Sequence, residues 1–137
     1  MTLNETKEIV THIYDELAKG NSRPLLEAFA DDVRWSVIGT TPWSGTYVGK
    51  AAVLDDLLAP LRAQFGTRYK ARAHRVIGEG EFVVAEVRGE VTTKAGKPYN
   101  NTYCFIFRFA DGRLKEINEY CDTDLLRTAL EDPAAGG

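Results

Sequence analysis

An α+β fold is predicted for this 137-residue chain, with a curved, mostly antiparallel sheet covered on one face by N-terminal helices and able to enclose a pocket beneath them. Three observations lead there. Apolar residues in the first third recur at helical spacing. One short alternating segment interrupts them at 33–37. From residue 70 onward the apolar period drops to two and persists through four segments separated by tight-turn signals.

The first helix opens at Thr2-x-x-Glu5, a capping box in which each side chain satisfies the other's backbone N–H. It carries Ile9, Val10, Ile13, Tyr14 and Leu17 as one stripe and stops at Gly20. Ser22 caps a second, short helix with Pro24 in its first turn, which turns Leu25, Leu26 and Phe29 inward and ends at Asp31-Asp32. Residues 33–37 (Val-Arg-Trp-Ser-Val) form the first strand, and 39–49 a loop rich in Gly, Thr and Pro. A third helix spans 50–65 with Val53, Leu54, Leu57, Leu58 and Leu61 on one side. Pro60, which has no N–H to donate, kinks it or ends its regular part. Strands follow at 70–77, 82–93, 99–109 and 113–121, joined by Gly78-Glu79-Gly80, Ala95-Gly96 and Ala110-Asp111-Gly112. Asp122, Thr123 and Asp124 then cap a terminal helix carrying Leu125, Leu126 and Leu130. Residues 1–132 read as a single domain and 133–137 as a flexible tail.

Composition removes several classes of function. With 44% hydrophobic residues the chain is no disordered tail. Its 17 Lys+Arg against 20 Asp+Glu are scattered, so no basic footprint for nucleic acid exists. Cys104 and Cys121 make neither a disulfide framework nor a metal spacing and read as small buried hydrophobes. His12 falls on the exposed side of the first helix and His74 among Arg72 and Arg75, neither with ligand spacing. Gly78-x-Gly80 lacks the further glycine and helix of a dinucleotide fingerprint, so no cofactor and no metal are expected. The N-terminus turns polar at once, and no apolar run approaches the ~20 residues a bilayer crossing needs. A cytoplasmic protein without membrane contact is expected.

Strand parity predicts the faces of the sheet. If Ala95-Gly96 is a two-residue turn, Lys94 pairs with Lys97, and Glu90, Arg88 and Glu86 lie opposite Asn101, Tyr103 and Phe105. The second of these strands carries Tyr99, Asn101, Tyr103, Phe105, Phe107 and Phe109 on that face, an aromatic row suited to burial under the helices. An inward Glu-x-Arg-x-Glu row results, whose charges must pair or serve a solvated pocket. Val87, Gly89, Val91, Cys104 and Ile106 then form an apolar outer face suited to a homodimer. The alternative puts Glu86, Arg88 and Glu90 on a solvated face with Val87 and Val91 in the core; the aromatic row favours the inward arrangement. The last strand has two registers. A three-residue Ala110-Asp111-Gly112 loop turns Ile117 and Glu119 inward, and a two-residue Asp111-Gly112 turn sends Asn118 and Tyr120 there instead.

Phe29-Ala30-Asp31-Asp32, the loop Ser44-Gly45-Thr46-Tyr47-x-Gly49-Lys50, and the run Arg108-Phe109-x-Asp111-Gly112-Arg113 ending in Glu119-Tyr120-x-Asp122 resemble the nuclear transport factor 2-like superfamily. Within it they are most similar to the SnoaL-like branch, which includes ketosteroid isomerases, polyketide cyclases and limonene epoxide hydrolase. The resemblance covers nearly the whole chain in order and implies a cone-shaped sheet that hosts many activities. Laid over this chain, the Asp-Arg-Asp group of limonene epoxide hydrolase falls on Arg88, Glu90 and Glu119. It implies that Glu119 takes a proton from water, Glu90 delivers one, and Arg88 holds the two carboxylates in opposite roles. That hydrolase's water-positioning Tyr-x-Asn falls on Trp35 and Val37, so two orienting partners are absent. The ketosteroid isomerase base, Tyr donor and protonated Asp fall on Val37, Ile13 and Phe105, and none of the three survives. Tyr14 and Tyr103 remain as nearby hydrogen-bond donors.

The resulting expectation is a cofactor-independent acid–base enzyme for a hydrophobic small molecule, with Arg88, Glu90 and Glu119 catalytic. Tyr14, Trp35, Trp43, Glu86, Asn101, Tyr103 and Phe105 are the expected substrate contacts. Trp35 is balanced between core and pocket floor, and Trp43 leans toward ligand contact because it lies in a loop near the expected mouth. Asn101 either bonds a ligand carbonyl or satisfies Glu90. The alternative is a non-catalytic domain of the same fold, built for ligand binding or dimerisation.

Overall fold

A computed structural model describes residues 1–133. The expected tail therefore lies, beyond Pro133, outside the described residues. The helix α1 (Leu3–Leu17) starts where expected, with the Glu5 N–H donating to Thr2 Oγ1 (3.2 Å) and the Thr2 N–H to Glu5 Oε1 (3.1 Å). Its buried stripe of Val10, Ile13, Tyr14 and Leu17 packs mainly on β3 and β4.

The second helix, α2 (Arg23–Ala28), is shorter than predicted, because Phe29 is already extended and opens β1 (Phe29–Val37). Phe29 pairs with Leu114, and the register shifts before resuming at Arg34 opposite Glu116. Asp31 and Asp32 thus sit in a strand irregularity, where the Lys115 ammonium holds Asp32 at 2.9 Å. A strand the periodicity missed, β2 (Gly45–Val48), lies along β1 inside the predicted loop. It buries almost nothing, so no apolar alternation marks it.

Pro60 neither stops nor sharply breaks the next helix. The chain runs through α3 (Lys50–Ala52), a π-helical segment (Val53–Leu58) and α4 (Ala59–Gln64). The Ala59 N–H reaches back five residues to the Leu54 carbonyl. Widening the turn just before Pro60 accommodates a residue that cannot donate and whose ring crowds the preceding turn.

The four later strands are β3 (Lys70–Glu79), β4 (Phe82–Glu90), β5 (Thr102–Ala110) and β6 (Arg113–Cys121). They complete a six-stranded sheet in the order β2-β1-β6-β5-β4-β3, parallel between β1 and β6 and antiparallel elsewhere. The last helix, α5 (Thr123–Ala129), is capped by Asp122, whose carboxylate accepts from the Asp124 and Leu125 N–H groups. Among the described residues no helix is long and apolar enough to cross a membrane.

The β4–β5 register differs by one residue from the expected one, and that difference reverses a face. Thr92 bridges Pro98, Val87 pairs with Tyr103, and Ala85 pairs with Phe105. The loop has three residues, Lys94-Ala95-Gly96, with Gly96 at φ +83° supplying the left-handed position. Thr93 stabilises it by accepting the Lys97 N–H on its hydroxyl (3.1 Å). Because side chains alternate, the slip buries Val83, Ala85, Val87 and Val91 beneath the helices and turns Glu86, Arg88 and Glu90 outward. The expected inward Glu/Arg/Glu row does not form, and Val87, Gly89 and Val91 leave the expected outer face. Cys104 and Ile106 do lie on it, half-buried.

At the β5–β6 connection the turn has two residues, Asp111 (φ 54°) and Gly112 (φ 74°), both left-handed as a type I′ hairpin requires. Taken alone it would send Tyr120 inward. A bulge between Arg108 and Phe109 absorbs one residue of β6, so Phe105 pairs with Glu119 and Phe107 with Ile117. Turn and bulge together return Glu119 to the inner face.

Candidate active site

Between the inner sheet face and the helices lies a cavity of about 560 Å³, within the range of roughly 300–1,000 Å³ common for small-molecule sites. Its apolar walls include Leu17 of α1, Leu25 and Leu26 of α2, Leu58 and Leu61 beside Pro60, and Phe65. The sheet contributes Trp35 (β1), Ala71 (β3), Tyr103 and Phe105 (β5) and Glu119 (β6), and Tyr14, Tyr69 and Tyr99 add hydroxyls. Tyr103 stacks on Phe105 at 4.9 Å, and Trp35 meets Phe105 edge-on at 6.2 Å.

Glu119 is the buried carboxylate of this cavity, 9% exposed. Register fixes it: Val37 of β1 on one side and Phe105 of β5 on the other are its cross-strand partners. The Trp35 indole N–H donates to Oε1 at 3.1 Å. Among the described residues no cation forms an ion pair with it. Burial accordingly pushes its carboxyl up to about 7, against the smaller opposing effects of the Trp35 hydrogen bond and the Cys121 thiol. Such a group is poised to hold or release a proton near neutrality.

The tyrosines stay protonated. Burial first, and the Glu119 charge in addition, lift Tyr14, Tyr69, Tyr99 and Tyr103 above the ordinary phenol value. Tyr69, Tyr99 and Tyr103 all line the cavity, and the Asn101 amide donates to the Tyr99 oxygen at 3.2 Å. The half-buried Cys121 thiol is pushed up to about 12, chiefly by burial and then by the Glu119 charge. It is a neutral donor, unsuited to act as a nucleophile. Among the described residues no group of three His, Cys, Asp or Glu side chains is arranged to hold a metal ion.

The structure thus gathers Tyr14, Trp35, Tyr103, Phe105 and Glu119 from the expected set. Arg88 and Glu90 are exposed on the opposite face, and Glu86 is tied there to Arg75 (3.2 Å) and His74 (3.7 Å). Trp43 is 2% exposed but packs the loop onto the C-terminal segment, donating its indole N–H to the Glu131 carbonyl (2.9 Å). Asn101, wholly buried, is not among the residues lining the cavity, and Glu90 is exposed on the other face of the sheet. The Asn101 amide clamps β5 to the start of α5 by donating to the Asp122 carbonyl and accepting the Asp122 N–H. Tyr69, Tyr99, Arg62 and Arg68 complete the cavity wall without having been singled out as contacts. Tyr99 shares the aromatic row's parity, but the other three lie in or beside the non-periodic 62–69 stretch, where spacing carries no signal.

The profile of the SnoaL-like domain family matches residues 10–117. No curated protein matches the sequence. Among solved structures, an NTF2-like protein from Burkholderia xenovorans LB400 is 24% identical with a TM-score of 0.72, covering 96% of this chain and 99% of its own. An NTF2-like protein of unknown function from Burkholderia pseudomallei K96243 is 21% identical with a TM-score of 0.77, over 94% of this chain and 98% of its own. TerC, co-crystallised with polyporic acid, is 21% identical with a TM-score of 0.74, over 89% of this chain and 95% of its own. At these identities the likeness is one of fold.

Proposed function

The chain belongs to the SnoaL-like domain family, and from that premise we propose that it is a cofactor-independent acid–base enzyme acting on an apolar, ring-bearing carbonyl compound, with Glu119 as its proton carrier. The observation that carries this reading is a buried carboxyl with a value of about 7 on the wall of an aromatic cavity, held by an indole N–H and, among the described residues, without an ion-pair partner. The early-strand position that the resemblance assigns to the isomerase base is Val37, and Val37 pairs with Glu119. The carboxylate is therefore supplied from the adjacent strand.

In the proposed reaction the ionised Glu119 takes a proton from the carbon next to a carbonyl. The C–H electron pair becomes a C=C bond as the C=O π pair moves to the oxygen, and the enolate is stabilised by a tyrosine hydroxyl. Protonated Glu119 then returns the proton to the far carbon of a conjugated dienolate, shifting the C=C bond and completing an isomerisation, or the enolate carbon attacks a second carbonyl within the same substrate and protonated Glu119 gives its proton to the alkoxide so formed, completing a cyclisation. Trp35 is a positioning residue, since its indole N–H fixes Oε1 of the carboxylate. Hydrolysis through a Glu/Arg/Glu group has no support, because Arg88 and Glu90 lie outside the cavity.

Exchange of the α-hydrogens of 2-tetralone in deuterated water, followed by NMR, tests the reading. The protein should accelerate exchange, the rate should rise with pH through a midpoint of about 7, and Glu119→Gln should lose on the order of 100-fold or more. Binding of the ketone without acceleration, or acceleration retained in Glu119→Gln, overturns it, the former in favour of the non-catalytic alternative.

A further inference from the structure

The cavity has two chemically distinct ends. Glu119, Tyr14, Tyr99 and Tyr103 are buried, whereas the exposed lining residues are Arg62, Thr67 and Arg68, which therefore mark the mouth. The cations among the lining residues are these two arginines. Each is held by an uncharged acceptor: Arg62 donates to Ser22 Oγ (3.2 Å) and Arg68 to the Gly20 carbonyl (2.9 Å). Arg68 lies so close across Gly20 that a Cβ there would overlap its stem, and Gly20 sits at φ +85°. Among the described residues neither guanidinium forms an ion pair, although Arg23, Arg75, Arg108 and Arg127 all do.

A guanidinium carries five N–H donors in a fixed plane, and each anchoring bond uses one of them. The two side chains are thus oriented by the protein while most of their donors and both positive charges remain free at the entrance. Neither contributes to the shift of Glu119, which comes from burial, Trp35 and Cys121. The mouth charges and the buried carboxylate are thus separate features of the cavity.

Building on the acid–base reading of this cavity, we propose that Arg62 and Arg68 receive an anionic group, so that the substrate class is an apolar ring system bearing a carboxylate, sulfonate or comparable anion at the end remote from the reacting carbon. The ring body enters the aromatic wall, and the anion stays at the mouth in a bidentate grip that neutral analogues cannot use. Glu119, being of the same sign as that anion, repels it from the floor and so favours one orientation of entry over its reverse.

Two naphthalene probes of matched shape test this by fluorescence titration: 1-anilinonaphthalene-8-sulfonate, which carries an anion, and neutral N-phenyl-1-naphthylamine. The wild-type chain should bind the sulfonate about tenfold more tightly than the neutral probe at low salt, and the preference should shrink as salt is added. The Arg62→Gln, Arg68→Gln double variant should bind both probes equally. Arg62→Gln alone leaves the Arg68 packing on Gly20 intact and should lose part of the preference, which covers the case in which the double variant does not fold. Equal binding of the two probes to the wild-type chain, or a preference unaffected in Arg62→Gln and the double variant, overturns the anionic-substrate assignment while leaving the cavity reading in place. Failure of both probes to bind removes the cavity reading and this assignment with it.

Discussion

A carboxylate placed among aromatic rings pays several kcal/mol to ionise unless something offsets the lost hydration, and at Glu119 the offset is one indole N–H and one thiol. The same residue should therefore govern how stability depends on pH. Its carboxyl titrates at 4.5 in the unfolded chain and about 7 in the folded one. The folded chain binds the proton more tightly over that interval, so this contribution is complete below pH 4.5 and is lost as pH rises through 7. The difference between the two values corresponds to on the order of 3 kcal/mol. Urea denaturation across pH 4.5 to 8 should show the wild-type chain losing about that much relative to Glu119→Gln, which becomes the more stable protein at pH 8. Equal slopes in the two proteins would mean that Glu119 titrates as an ordinary surface carboxylate. At this scale the sequence was partly legible: the aromatic row and an inward Glu119 followed from alternation and resemblance. The roles of Trp43 and Asn101 did not, because a loop tryptophan and a strand amide look alike in sequence whether they meet a ligand or backbone carbonyls.

Elements were legible wherever burial imposes a period. The α1 cap, its stripe and the limits of β6 all stand where the spacing put them. The failures occur where one residue of backbone geometry decides. Three loop residues instead of two at 94–96 reverse the whole β4 face, and an even-numbered turn at Asp111-Gly112 is reversed again by a bulge that no apolar pattern announces. The physical reason for the first choice can be read afterwards. A two-residue turn would have buried Glu86, Arg88 and Glu90 and exposed Val87 and Val91, an arrangement many kcal/mol worse. The loop conformation is thus stabilised by the sheet as much as by its own residues. Since nothing lies within 4 Å of a Cβ built on Gly96, Gly96→Ala meets backbone strain alone. It should cost about 1–2 kcal/mol in urea denaturation without altering the register, and a neutral or stabilising result would mean that the left-handed position is not held. Deleting Ala95, by contrast, forces the other register and should prevent cooperative folding.

The slip that emptied the cavity of one ion row also rewrote the outer surface of the molecule. Across the outer face run Ile77, Val84 and Ile106 in one row, with Phe82 beside them, and the next row holds Cys104 and Tyr120 together with the Arg75–Glu86 ion pair. Ile77, Phe82 and Tyr120 are 54%, 45% and 42% exposed. Charges flank this stripe unequally. Arg72 and Arg88 lie at one end, and Glu79 and Glu116 are joined by Arg34 and Arg108 at the other. A second copy turned by a two-fold axis along the stripe would set apolar row on apolar row and the Arg72–Arg88 end over the end holding Glu79 and Glu116. The homodimer expected from sequence is thus proposed to form on this face, though through residues other than Val87, Gly89 and Val91. Sedimentation equilibrium should return twice the chain mass at micromolar concentration. Ile106→Asp, which puts a carboxylate in the middle of the stripe without touching the cavity, should return a monomer with an unchanged circular dichroism spectrum. A wild-type chain that sediments as a monomer, or an Ile106→Asp variant that still dimerises, would assign this face to solvent or the contact to another surface. Because the cavity lies beneath the opposite face, affinity for the neutral naphthalene probe should be the same in monomer and dimer, which separates assembly from the chemistry proposed for Glu119.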